Sequence, residues 1–318
     1  MLFNYLKIAF RSLLKFKGYT AINLLSLALG LAAGILILLY VVDELSYDKF
    51  HVKSDRIYRV ETLFVANKTA ADETALDANG WPIGNILRTD FPEVESVLYT
   101  RNASYFLINH EGKRIQQQLH YASPEFFDIF SFNLKQGNPE TALTEPYSVV
   151  ITEEMQSKYF NGMSALNKTL VIADTMNFVV TGVMENIPSN SHIQLDMLLS
   201  FSTYMAINRN FSYDGGWGNI NIRKYLLLKD GTDFKAFEAK ARSLYTERAG
   251  QMLEDWGVEA HVLFAPLESL YLTTNSGNGM GPVGSIERVY LVSGIAAFVI
   301  LLACINFINL TTARSAYR

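Results

Sequence analysis

The sequence predicts a membrane protein in which two transmembrane α-helices flank one large α+β extracytoplasmic domain. Three observations carry this. Two apolar runs in the 318-residue chain hold no charge, the residues outside them are basic and those between them acidic, and the stretch between mixes strand and helix periods.

The first run is Ile22–Val42, INLLSLALGLAAGILILLYVV, in which only Asn23 and Ser26 are strongly polar. At about 1.5 Å per residue a helix of this length spans roughly 30 Å, the thickness of a bilayer's hydrocarbon core. Residues 21–42 are therefore assigned as the first span. Within it Ser26, Gly30 and Gly34 recur every four residues, a small-residue face that lets another helix approach closely, and they are the helix-packing candidates. Ordinary membrane glycine is the alternative. The second span is 289–310, VYLVSGIAAFVILLACINFINL, followed by a cytoplasmic stub, 311–318. Its Asn306 and Asn309 are expected to reach the interface rather than to bond a partner helix.

Residues 1–20 place Leu2, Phe3, Leu6, Ala9, Phe10, Leu13 and Leu14 at helical spacing, with Lys7, Arg11, Lys15 and Lys17 between them. That pattern predicts an amphipathic interfacial helix that turns at Gly18 into the bilayer. Lys7, Arg11, Lys15 and Lys17 before the first span, and Arg314 and Arg318 after the second, are the expected cytoplasmic-side anchors. A cleaved signal peptide fits poorly: the apolar run is too long and LLYVVDE offers no small-residue cleavage site. Residues 43–288 hold all 31 acids but only 21 of the 27 bases, a net of −10, which argues against a nucleic-acid partner. The lone Cys304 excludes an intramolecular disulfide, so packing must hold the domain together.

Inside the domain, alternation and β-branching predict strands at Ile57–Val65, Val94–Tyr99, Ser104–Asn109 and Arg114–Tyr121, the last two joined by a turn at His110–Lys113. A short helix over Trp81–Asp90 has Pro82 in its first turn. Arg223–Leu228 and Val258–Ala265 read as strands around a helix over Asp233–Gly250, capped by Thr232 and stopped by Gly250. Two strand–helix–strand units thus bracket a strand-rich centre. That centre contains a helix over Ser123–Phe130 capped by Ser123, strands at Ser148–Ile151, Thr169–Ile172 and Asn177–Val183, and a capped helix over Thr152–Phe160.

Chemistry-bearing motifs are few. Gly279–Gly284 fits the letters of GxGxxG, but no parallel-sheet strand precedes it and a flexible connector is the better reading. No GxxxxGK[ST] occurs, so the chain has no phosphate cradle of its own. His51, His110, His120, His192 and His261 lack metal-ligand spacing and are expected at the surface or lightly packed. No catalytic residue, cofactor or metal site is assigned, and the chain is not expected to be an enzyme.

Several stretches resemble, in order, the MacB/FtsX-type ABC transporter permeases, particularly their Bacteroidetes form. They are NYLKIAFRSLLKFKGYT with the first span and VVDELSYDKFH, then SPEFFDIFSFNLKQGNP at 123–139, VVITEEMQSKYFNG at 149–162, VVTGVMENIPSNSHIQLDMLLSF at 179–201, YLLLKDGTD at 225–233 and LLACINFINLTTARS at 301–315. The resemblance implies a periplasmic core domain at 43–288, with porter-like halves at 57–112 and 221–266 and an inserted subdomain at 113–220. It further implies an inner-membrane permease that couples to a cytoplasmic ABC ATPase holding ATP-Mg, with a second permease copy or half, a periplasmic adaptor and the lipid bilayer as partners. Movement would pass from that ATPase to the periplasmic domain, a process called mechanotransmission, for efflux or export. Family permeases have at least four spans, so the chain is expected to be the N-terminal part of a longer permease. A two-span sensor with a periplasmic ligand-binding domain is the alternative reading.

Overall fold

The computed structural model describes residues 17–66, 73–273 and 280–315. Helix α1 (Lys17–Glu44) comes first, then a 3-10 turn (Ser54–Arg56), β1 (Ile57–Ala66), β2 (Glu73–Leu76), α2 (Pro82–Asp90), β3 (Val94–His110) and β4 (Lys113–Ala122). The middle holds the single turn α3 (Phe126–Ile129), β5 (Leu134–Gly137), β6 (Ser148–Thr152), α4 (Glu153–Phe160), β7 (Thr169–Ile172), β8 (Met176–Met184), β9 (Met197–Ser200) and α5 (Phe201–Ile207). The chain continues through β10 (Arg223–Leu228), α6 (Phe234–Ala241), α7 (Leu244–Trp256), β11 (Val258–Pro266), α8 (Leu267–Thr273) and α9 (Ile286–Ser315). Two compact units result, one holding α1 and α9 and the other running from Tyr47 to Val283.

In the first unit both apolar runs are helices long enough to cross a membrane. Leu24, Leu25, Leu29 and Leu36 of α1, and Phe298, Leu301 and Ile305 of α9, face outward and exposed, as lipid-facing positions require. Residues Lys17–Thr20 are helical, so α1 runs through Gly18 without the expected turn. The rest of the expected interfacial helix, with Lys7, Arg11 and Lys15, and also Arg318, lies outside the described residues.

The second unit is built on a mixed sheet in the order β11-β1-β10-β3-β4-β9-β6-β8-β5, with β2 added to β1 and β7 joined to β3 and β8. The first four strands realise both predicted strand–helix–strand units. Because β10 pairs antiparallel with both β1 and β3, and β1 with both β10 and β11, the two units interleave as a split β-α-β arrangement. The sheet runs on without a break through β3 and β4 into the strands of the centre, where β4–β9 and β6–β8 pair in parallel.

Side-chain alternation on β10 shows how both faces are filled. Leu226 and Leu228 join one cluster with Ile83 and Leu87 of α2 and Phe237 and Leu244 of α6 and α7. Tyr225 and Leu227 point the other way, into a cluster with Phe126, Phe130, Leu198 and Leu267. A strand buried on both faces reads as the continuous apolar run YLLL, without polar alternation. Among these residues sits Lys224, fully buried, its ammonium giving hydrogen bonds to Asn79 Oδ1 (2.6 Å) and the Gly80 carbonyl (3.1 Å). Burial holds its pKa well below the ordinary lysine value.

Three local readings are corrected. The strands expected at Val94–Tyr99 and Ser104–Asn109 are one strand, β3, whose pairing with β4 shifts between Asn102 and Tyr105; an irregularity of this kind bends a strand without ending it. Ser123 does not cap a helix: its hydroxyl accepts the Tyr99 N–H (3.0 Å), and only Phe126–Ile129 are helical. The helix expected over Asp233–Gly250 is two helices. Asp233, not Thr232, caps the first by accepting the Ala236 N–H (3.2 Å), while the Thr232 hydroxyl donates to the Lys229 carbonyl (2.8 Å). Gly250 is not the stop. The chain kinks at Ala249 (φ −136°, ψ 23°), continues to Trp256, and ends at Gly257 with φ 67°, the left-handed conformation glycine tolerates best.

This geometry sets a test of capping. Asp233→Ala should cost about 1 kcal/mol, whereas Thr232→Ala should change stability by only a few tenths. Urea unfolding of the two variants reads the difference, and equal losses would return the cap to Thr232.

Candidate functional site

Two arrangements deserve the name of a site: the interface of α1 with α9, and the place where the α+β domain holds the chain segments that adjoin those helices. At the first, Gly30 lies so close to α9 that a Cβ there would overlap the Ala303 side chain, and a Cβ on Gly34 would stand 2.5 Å from Ile300 Cγ1. One turn away Asn306 Nδ2 donates to Ser26 Oγ (2.6 Å), so Asn306 bonds the neighbouring helix instead of reaching for the interface. Partners fall along α9 as they rise along α1, so the helices are antiparallel. Of the basic anchors, Lys17 is exposed at the start of α1 and Arg314 lies in the last turn of α9.

Glycine at these positions lets backbones meet, and the gain is dispersion plus a hydrogen bond in a medium without competing water. With Ser26→Cys and Asn306→Cys in a Cys304→Ala background, oxidation should cross-link the helices readily. Adding Gly30→Leu should weaken the pair by about 1–3 kcal/mol and cut the cross-linked yield. An undiminished yield would make Gly30 mere filler.

The second arrangement lies within the α+β domain. Tyr47–His51 and Met280–Val283 adjoin the helical unit in sequence, and both grip the loop between β8 and β9. The Asp48 N–H donates to the Asn190 carbonyl (3.0 Å). Its carboxylate Oδ1 accepts from Ser191 Oγ (3.1 Å) and from the His192 N–H (3.0 Å), and stands 2.9 Å from His192 Nδ1. The far ring nitrogen, His192 Nε2, lies 3.0 Å from the Tyr225 hydroxyl on β10, so the chain of contacts ends in the middle of the sheet. From the other side the Met280 carbonyl accepts the Gln194 N–H (2.6 Å), and Gly281 packs so tightly that a Cβ would overlap the His192 carbonyl oxygen. Tyr47 also stacks on Tyr271 of α8, centroids 3.4 Å apart.

Asp48 and His192 are fully buried, and Asp48 adopts φ 60°, a conformation Asp tolerates better than most residues. Burial pushes the Tyr225 phenol up to about 12, so it stays neutral and can donate. A carboxylate, an imidazole and a phenol in sequence could relay a proton, but all three are enclosed, and their evident work is to hold the loop. His51 packs against Phe50, Phe130 and Phe132 and accepts the Ser131 N–H at Nδ1 (3.0 Å). Burial first, and His192 to a lesser degree, lower its pKa to about 4 against the opposing pull of Asp48.

The histidine expectation is therefore corrected for three of the five: His51, His120 and His192 are neither at the surface nor lightly packed but buried. So is the reading of Gly279–Gly284 as a loose connector. Gly279 lies outside the described residues, but Met280 is buried and bonded and Gly281 is wedged. Among the described residues no group of three or more His, Cys, Asp or Glu is placed to hold a metal ion.

The His51 geometry fixes a pH response. Between pH 6.5 and about 4 the unfolded chain carries a proton on this histidine that the folded chain lacks. Stability from this group is thus full above 6.5 and is lost as the pH falls toward 4. His51→Gln should flatten the chain's stability profile in that window relative to the parent, as read by denaturant midpoints. Parallel profiles would show that His51 does not titrate this way.

The family model described as the MacB-like periplasmic core domain matches residues 20–244. No curated protein sequence matches the chain. Among solved structures, a domain of a Porphyromonas gingivalis protein described as a permease is 24% identical with a TM-score of 0.60, covering 68% of this chain and 91% of that one. The periplasmic region of MacB from Actinobacillus actinomycetemcomitans is 17% identical at a TM-score of 0.47, covering 66% of this chain and 89% of that one. The extracellular domain of the noncanonic ABC-type transporter YknZ from Gram-positive bacteria is 13% identical at a TM-score of 0.43, covering 64% and 99%.

Proposed function

The chain belongs to the family defined by the MacB-like periplasmic core domain, and from that premise we propose that it transmits ATP-driven movement within an ABC transporter. In this reading it is a permease component of the bacterial inner membrane. Lys7, Arg11, Lys15, Lys17, Arg314 and Arg318 face the cytoplasm, and the α+β domain lies in the periplasm. ATP-Mg is bound and hydrolysed by a separate cytoplasmic ATPase, a second permease copy or half completes the membrane unit, and a periplasmic adaptor receives the cargo for efflux or export.

The single observation that carries this reading is the double grip on the loop between β8 and β9. Motion of α1 reaches the domain through Tyr47–His51, and motion of α9 through Met280–Val283. Both segments hold residues 190–194 by short hydrogen bonds and direct packing. A displacement of the helix pair, kept together at Gly30 and Gly34, would be delivered to that loop, then through β9 and the His192–Tyr225 contact to the sheet. Stiff, buried, hydrogen-bonded joints suit such a task, because packed interiors transmit strain instead of absorbing it.

The test reconstitutes the full chain with its ATPase in lipid and places a spin label at the exposed Met163 of each copy. Exchange of ADP for ATP should shift the inter-label distance, and Asp48→Ala should blunt the shift while the ATPase stays active. Failure of the chain to associate with any ATPase, or a distance indifferent to nucleotide, would remove this reading.

A further inference from the structure

The loop held by Asp48 and Met280 has another side, and there it forms part of the wall of a half-open cavity of about 360 Å³. Asn186, Gln194 and Asp196 come from that loop, Gln117 from β4, Glu154 from the first turn of α4 and Tyr105 from β3. A volume of this order admits a molecule the size of a monosaccharide.

The hydrogen bonds these groups already make decide what they can still offer. Gln194 spends its amide nitrogen on the carbonyls of Pro188 (2.8 Å) and Ser191 (3.2 Å), which leaves its amide oxygen as an acceptor. Gln117 turns its amide nitrogen to Met155 Sδ (3.4 Å), again leaving the oxygen. Asn186 does the reverse: its oxygen accepts the Glu154 N–H (3.0 Å), so its amino group remains to donate. Glu154 and Asp196 add two carboxylates, and no lysine or arginine stands among the lining residues. Burial first, then the charge of Glu154, raise the Asp196 pKa from the ordinary aspartate range, while Lys158 draws it down from outside the lining. Among these five groups acceptors and negative charge outnumber donors; Gln118, His120 and Thr152 complete the polar lining, and Tyr105, well exposed, presents a ring on which the C–H face or the ammonium of a ligand can rest.

We propose that this cavity is a binding site for a small polyhydroxylated organic amine, of which an amino sugar is the simplest form. Its ammonium is held by Glu154 and Asp196, its hydroxyls donate to the Gln117 and Gln194 oxygens, and one hydroxyl accepts from Asn186. Gln194 belongs to both walls of the loop: its side chain lines the cavity and its N–H is bonded to the Met280 carbonyl. Occupation of the cavity therefore tightens the loop that the two helix-adjoining segments grip.

Calorimetric titration of the full chain in micelles tests this, with glucosamine as the probe and glucose, N-acetylglucosamine and calcium chloride as controls. Glucosamine should bind saturably near the millimolar range, and both neutral sugars at least about tenfold more weakly. Glu154→Gln and Asp196→Asn, each verified by an unchanged thermal midpoint, should each weaken glucosamine by about tenfold. In the parent, glucosamine should also slow hydrogen exchange at the His192 and Gln194 amides, and in Asp196→Asn it should not. Absence of saturable glucosamine binding, equal binding of the neutral sugars, indifference to both substitutions, or calcium binding that glucosamine does not displace would each overturn the proposal. None of these arms involves the ATPase, so their failure leaves the permease reading untouched.

Discussion

The Asp48 carboxylate is the contact on which the rest of the domain's arrangement depends. One oxygen receives a hydroxyl and a backbone N–H and faces an imidazole, all from Ser191 and His192. A buried carboxylate costs several kcal/mol unless donors compensate it, and because Oδ2 has no hydrogen-bond partner among the described residues, the donors on Oδ1 carry that compensation and cannot drift away. The segment after α1 is thereby tied to a loop 144 residues further along the chain. Because His192 also reaches Tyr225 on β10, the tie extends to the strand that is buried on both faces.

The exit segment is held by different physics. Met280 contributes a carbonyl to the Gln194 N–H, and Gly281 contributes only the absence of a side chain. Electrostatic satisfaction on one side and close backbone approach on the other converge on the same few residues. The two helices use a related combination, with Gly30 and Gly34 giving proximity and Ser26 and Asn306 giving a hydrogen bond.

Much of the fold was legible in the amino-acid order, and the reasons are local. Ile22–Val42 and Val289–Leu310 declare themselves by apolar length, β1, β8 and β11 by alternation or β-branching, and β10 by its short apolar run YLLL. Thr152 was readable as a cap because its hydroxyl reaches the Met155 N–H three residues on (3.3 Å). What escaped is non-local or finely balanced. Nothing near Asp48 announces His192, and a histidine in SNSHIQ looks like any loop histidine until the loop is enclosed. Gly250 reads as a helix stop, yet the chain absorbs the irregularity at Ala249 and uses Gly257. Thr232 and Asp233 are adjacent and both able to cap; only the direction of the incoming chain chooses between them.

The sheet order also constrains how the protein can be made. Strand β1 emerges early from the ribosome and meets β2 soon after, over Thr62–Val65, but its other two ladder partners, β10 and β11, are Arg223–Leu228 and Val258–Pro266. Until those residues are synthesised, one edge of β1 and the Ile57–Val60 stretch of the other are unpaired, and the apolar side chains of Ile57 and Val60 have only part of their core. Pairings this distant in sequence close slowly and leave nascent chains open to aggregation. The polypeptide must therefore be kept from misassociation until β10 and β11 are made, which makes its biogenesis depend on whatever shields exposed strand edges in the meantime.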